Sequence, residues 1–159
     1  MILTTNAVMQ NYENKKPSYF ATPSPQLIHA LHTALTQILA RPIAERFQKH
    51  AEVSDKVKEA VRDLGLEIVA TKPEDQAHAL TAFYLPEGVV ISDILPKLES
   101  RKVIFASGLH KAIATKYIRF GHMGVSALDP NRNHIDHGLE SLRAALAECG
   151  YQKPRTRDS

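Results

Sequence analysis

The chain reads as an α+β fold, a short antiparallel or mixed sheet with helices packed on one face. Three observations lead there. Apolar residues recur at helical spacing in two long segments near the start and one near the end. Between them lie short runs rich in β-branched and aromatic residues, "LGLEIVA", "HALTAFYLP", "KVIFA" and "KYIRFGHMG". These runs are grouped rather than alternating regularly with helices, which favours an α+β layer over a parallel doubly wound sheet.

The elements follow in order. Residues 4 to 14 form a short helix, with Thr4 or Thr5 as cap and Ala7, Val8 and Tyr12 as its small apolar face. "KPSYFATPSP" (16–25) holds three of the chain's nine prolines and carries Tyr19, Phe20 and Thr22, side chains suited to contact rather than to spacing. Ser24 then caps a helix with Pro25 in its first turn, where a missing N–H costs nothing. Leu27, Ile28, Leu31, Ala34, Leu35, Ile38 and Leu39 give that helix a wide apolar stripe and the expectation of heavy burial, with His29 and His32 as structural histidines. "ARP" (40–42) ends it. A second long helix runs from about Ile43 to Leu64, presents Phe47, Val53, Val57 and Val61 on one face and stops at Gly65. A helix near Ser92 carries Ile94, Leu95 and Leu98 and tolerates Pro96 at some cost. The last helix has Asn133 as its candidate cap, carries Ile135, Leu139, Leu142, Ala145 and Leu146, and ends at Gly150.

Bulk properties bound the function. At 159 residues and 43% hydrophobic, the chain is long and apolar enough for a core without disulfide or metal staples. The single cysteine, Cys149, forms no internal disulfide and suits a reducing compartment. The net charge of +3 is dispersed, and the basic "KPRTR" near the end is expected to be a solvated tail, so no nucleic-acid partner is expected. No apolar run approaches the roughly 20 residues of a membrane span. The start lacks a secretory pattern and the end lacks Ser-Lys-Leu; the expected location is intracellular, cytoplasmic first, with peroxisome or mitochondrion open.

Few residues carry chemistry. The eight histidines show no metal spacing, and His134 with His137 falls short of a ligand set, so no metal site is expected. No phosphate-cradling glycine loop and no nucleophile elbow occur, and Cys149 has no histidine near it in sequence. Arg119 stands apart. It lies mid-strand between Ile118 and Phe120, where a guanidinium is costly unless paired. Either an acid such as Glu67 neutralises it, or it faces a cleft and holds an anion through its planar fork.

"KPSYFATPSPQLIHALHTAL", followed over about a hundred residues later by "KYIRFGHMG", resembles the class V pyridoxal-phosphate aminotransferases of the alanine–glyoxylate (serine–pyruvate) type. The resemblance runs through nearly the whole chain. It implies the small C-terminal domain of a fold type I enzyme: 1–24 as the end of the large domain and the connector, 25–153 as the small domain led by a long interdomain helix, and 154–159 as a tail. It implies a homodimer that uses pyridoxal 5′-phosphate to move an amino group from alanine or serine to glyoxylate, giving glycine. Arg119 matches the arginine that binds the substrate carboxylate. Tyr19 and Thr22 match the hydroxyl residues that reach the cofactor phosphate of the neighbouring subunit. "ASGLHKAIATK" (106–116) resembles the border of the substrate mouth. No Schiff-base lysine is present, since neither Lys15 nor Lys16 has its surroundings, so no catalytic residue is assigned and the chain alone is expected to be inactive. The alternatives are a non-catalytic truncated product or dimerisation module, and another class V activity; cysteine desulfuration is disfavoured because Cys149 lies on the terminal helix rather than a loop. Without its partner domain, the apolar helix 25–40 is expected to leave an exposed patch that promotes association.

Overall fold

A computed structural model describes residues 2–19 and 22–153. Phe20, one of the expected contact residues, and the basic tail beyond Lys153 lie outside the described residues. The chain divides into two compact units, Met1–Pro42 and Ile43–Ser159.

The first unit holds α1 (Ile2–Glu13) and α2 (Pro25–Leu39). Ser24 caps α2 as expected: its backbone is extended, its hydroxyl accepts from Leu27 N–H, and Pro25 occupies the first turn. The expected burial of α2 is not found. None of its residues is buried, and Leu27, Ile28, Leu31, Leu35 and Leu39 are all exposed. His29 and His32 are exposed with them, not structural core residues. Periodicity reports which face seeks burial, and it is silent on what covers that face.

The second unit contains the core. Its elements are α3 (Ile43–Asp63), a 3₁₀ turn at Pro73–Asp75, β1 (Leu80–Tyr84), α4 (Ile91–Ser100), β2 (Ala106–Ser107), β3 (Tyr117–Gly121), α5 (Val125–Leu128) and α6 (His134–Glu148). The three strands form an antiparallel sheet in the order β1-β3-β2. Two expected strands shrink. "LGLEIVA" contributes a single bridge, Ile68 to Phe83, and "KVIFA" pairs at its end alone, through Ala106 and Ser107. A four-residue helix, α5, stands where no element was expected, because so short a segment carries no readable period. Asn133 precedes α6 without making a side-chain cap bond.

One face of the sheet meets the helices. Thr81 and Phe83 on β1 lie opposite Phe120 and Ile118 on β3, and all four are buried. Val57 and Val61 of α3, Ile94 and Leu98 of α4, and Leu142 and Leu146 of α6 complete the same core. Phe105 stacks on Phe120 with ring centroids 4.4 Å apart. The helix ends agree with their sequence signals: Gly65 and Gly150 take φ of +75° and +81° just beyond α3 and α6, a conformation that β-carbon sterics deny to most residues. Gly138 serves differently. A β-carbon there would lie 2.7 Å from Phe120 Cζ, so the glycine lets α6 approach the ring.

The polar groups of α3 that face inward are tied to the segment before β1. Ser54 Oγ donates to Ala77 O at 3.2 Å, and the buried Lys58 donates to Gln76 O at 3.4 Å. His122, just past β3, is fully buried; its Nε2 lies 2.8 Å from Thr81 Oγ1, while Nδ1 has no hydrogen-bond partner among the described residues. Burial is the main force on this ring and lowers its pKa from 6.5 to about 4. Folded His122 therefore stays neutral at pH values where the unfolded chain binds a proton. Stability is intact above about 6.5 and declines as pH falls from there through about 4. After discounting for solvent screening, the loss is on the order of 2 kcal/mol. Urea unfolding at pH 7 and pH 4.5 is expected to show a larger acid loss in the native chain than in His122→Gln; equal losses would assign the acid sensitivity to other groups.

Candidate carboxylate site and phosphate-binding hydroxyls

The second face of the sheet carries Arg119. Cross-strand register places it directly between Ala82 on β1 and Ala106 on β2. Residues directly opposite one another share a face, so two alanine methyl groups flank the base of the Arg119 side chain. Larger neighbours would cover it; these leave it partly exposed. Its Nε donates to Ser107 O at 2.8 Å, and among the described residues it makes no ion pair. The pairing with Glu67 considered from sequence is absent. One side of the guanidinium is thus fixed by backbone, and its terminal nitrogens remain for an acceptor. A planar fork held in this way suits a carboxylate, which takes two parallel charge-assisted hydrogen bonds.

The segment after β2 closes over the neighbouring tyrosine. Tyr117 is buried beneath it, and its hydroxyl oxygen accepts from Leu109 N–H at 2.8 Å and His110 N–H at 3.2 Å. These donors, His110 first, lower the phenol pKa below 10.0 because they favour the anion. Two successive turns follow, Ile113 N–H to His110 O at 2.9 Å and Lys116 N–H to Ile113 O at 2.8 Å. Gly108 makes the close approach possible: a β-carbon there would lie 2.5 Å from Tyr117 Cε1 and 2.6 Å from Ala114 O.

The connector lies in the first unit. Tyr19 and Thr22 come together, with Tyr19 Oη 2.5 Å from Thr22 Oγ1, and both residues are exposed. Just before them Ser18 is held from α1: Tyr12 Oη donates to Ser18 O at 2.8 Å and Asn11 Nδ2 to Ser18 Oγ at 3.3 Å. At this distance one hydroxyl donates to the other, which leaves one O–H free on a braced loop; a phosphate oxygen that displaced the mutual bond would receive both O–H groups. The candidate residues thus fall into two groups: Tyr19 with Thr22 in the first unit, and Arg119 in the second. Sequence reasoning did not find the flanking alanines or the acceptor role of Tyr117, because both depend on strand register and loop path.

Cys149 is half-buried, and burial raises its thiol pKa, the opposite of an activated nucleophile. No group of three or more His, Cys, Asp or Glu side chains among the described residues is arranged to hold a metal ion. No helix among them is long and apolar enough to cross a membrane.

No family model matches the chain. Individual relatives do. It is 40% identical over 141 residues to an alanine–glyoxylate aminotransferase of Saccharomyces cerevisiae, covering 87% of this chain and 36% of the yeast protein. It is 33% identical over 107 residues to an L-aspartate–glyoxylate aminotransferase of Paracoccus denitrificans, covering 67% of this chain and 27% of that protein. Among solved structures, pyridoxamine–pyruvate aminotransferase of Mesorhizobium loti superposes with a TM-score of 0.76 at 24% identity, covering 92% of this chain and 36% of that one. Ureidoglycine–glyoxylate aminotransferase of Bacillus subtilis gives 0.77 at 18% identity, covering 95% and 38%. These structures establish the fold, that of the C-terminal part of fold type I aminotransferases. The chain spans 36% of the length of the yeast relative. Sequence and fold together make it a relative of the class V aminotransferases, corresponding to a little over a third of such an enzyme.

Proposed function

We propose that the chain supplies the substrate-carboxylate site and a cofactor-phosphate clamp of a pyridoxal-phosphate aminotransferase that moves an amino group from alanine or serine to glyoxylate. The observation that carries this reading is Arg119: an arginine in register between two alanines, its guanidinium fixed at Nε and without an acid partner among the described residues. Its task is to bind the carboxylate of an amino acid or 2-oxo acid and fix the orientation of Cα. Bound pyridoxal phosphate supplies the electron sink for removal of the Cα proton. Tyr19 and Thr22 would hold its phosphate across a homodimer, each through a hydroxyl donor. Such bonds to a charged group are worth roughly 1.5–3 kcal/mol each. Tyr19→Phe together with Thr22→Val is therefore expected to weaken cofactor affinity of the complete enzyme by about 100-fold or more. Cofactor titration followed by absorbance checks this, and an unchanged affinity would remove both residues from the phosphate site.

The reading itself is tested by joining the chain to a lysine-bearing large domain. Glyoxylate-dependent consumption of alanine or serine is expected of the joined protein. A second reading, a non-catalytic association module, is favoured by the exposed apolar face of α2. A folded, dimeric, cofactor-loaded joined protein without transaminase activity would support that module over the enzyme.

A further inference from the structure

We propose that Tyr117 is a positioning residue for Arg119, acting through the backbone of the 107–110 segment; this rests on the reading of Arg119 as the carboxylate site. Two contacts grip that segment within four residues. Arg119 Nε holds Ser107 O at 2.8 Å, and Tyr117 Oη holds the N–H groups of Leu109 and His110 at 2.8 and 3.2 Å. Gly108 lies between the two grips, where a β-carbon would strike the tyrosine ring at 2.5 Å. β2 is two residues long and gives this backbone little other support. Tyr117 and Arg119 lie two apart on β3, on one face, so the strand offers both grips in fixed relation. Holding Leu109 and His110 sets where the Ser107 carbonyl stands. That carbonyl sets the plane of the guanidinium. Without the phenol oxygen, both N–H groups lose their acceptor, the segment lifts, and the fork loses its fixed edge.

Tyr117→Phe deletes the acceptor and keeps the ring. In the full chain, amide exchange at Leu109 and His110 is expected to accelerate about tenfold, the effect of losing one to two ordinary hydrogen bonds, while amides of β1 keep their protection. In the complete aminotransferase, KM for the amino-acid donor is expected to rise several-fold with kcat retained, the split expected of a residue that orders binding. Gly108→Ala, which wedges the same contact open from the loop side, is expected to give the same pattern and serves where the phenylalanine variant does not fold. Unchanged exchange at both amides overturns the proposal. So does faster exchange with unchanged KM, provided Arg119→Lys raises KM in parallel. If Arg119→Lys leaves KM unchanged, the carboxylate reading itself has failed and the positioning role fails with it, whatever the exchange shows.

Discussion

Arg119→Lys is expected to raise KM for the amino-acid donor by about 10- to 100-fold in the complete aminotransferase, with the fold unchanged. The charge survives this substitution and the geometry does not. Lysine offers a rotatable point charge in place of a rigid fork, so one of two parallel bonds to the carboxylate is lost. A charge-assisted bond is worth roughly 1.5–3 kcal/mol, and each 1.4 kcal/mol is a factor of about ten. The structural cost is small, because the side chain is partly exposed and its sole hydrogen bond within the described chain goes to Ser107 O. Unfolding free energy is therefore expected to change by no more than about 1 kcal/mol. Steady-state kinetics with alanine and with serine, beside urea unfolding, separate the two quantities. A KM within twofold of the parent, or a collapse of stability with proportionate loss of activity, would make Arg119 a structural residue. Replacing Ala82 by leucine approaches the same site from the neighbouring strand. Its bulk would crowd the guanidinium without touching its charge, which makes it a test of the open space rather than of the ion.

What the sequence made legible follows the range of the interactions. Helices were readable because their signals are local: Ser24 and Pro25 open α2, Gly65 follows α3 and Gly150 follows α6. Strand character was readable, but strand pairing was not. "LGLEIVA" has the composition of a strand and yields a single bridge, because pairing depends on which segment lies alongside. The carboxylate candidate was visible as a charge in an apolar strand. Its setting was not, since Ala82 and Ala106 are separated from Arg119 by 37 and 13 positions in the chain and meet it through register alone. The apolar stripe of α2 was legible as periodicity; its exposure agrees with the patch expected of the helix without a partner domain, while the heavy burial read from the stripe alone is not found, because a sequence states a demand for burial without naming what meets it.

Phe120→Ala is expected to lower the melting temperature of the second unit by roughly 10 °C or more, and it tests the strand that carries Arg119 from its other face. Phe120 is buried, stacks on Phe105 at 4.4 Å and faces the notch that Gly138 leaves in α6. It also meets the buried His122 ring edge-on at 6.1 Å. Truncating a core phenylalanine costs about 3–5 kcal/mol, with roughly 0.5–1.5 kcal/mol tied to the aromatic pair. That is a large share of the stability of a typical domain, about 5–15 kcal/mol. Gly138, the residue of α6 against the ring, has no side chain to refill the space. Circular dichroism melts are expected to show the loss directly. The contrast with Arg119→Lys is the informative part: adjacent residues on β3, one facing the core and one facing the site, should separate stability from binding. A Phe120→Ala variant that melts within a few degrees of the parent would mean that the core closes over the gap. The packing of α6 on β3 would then be looser than the Gly138 contact of 2.7 Å implies.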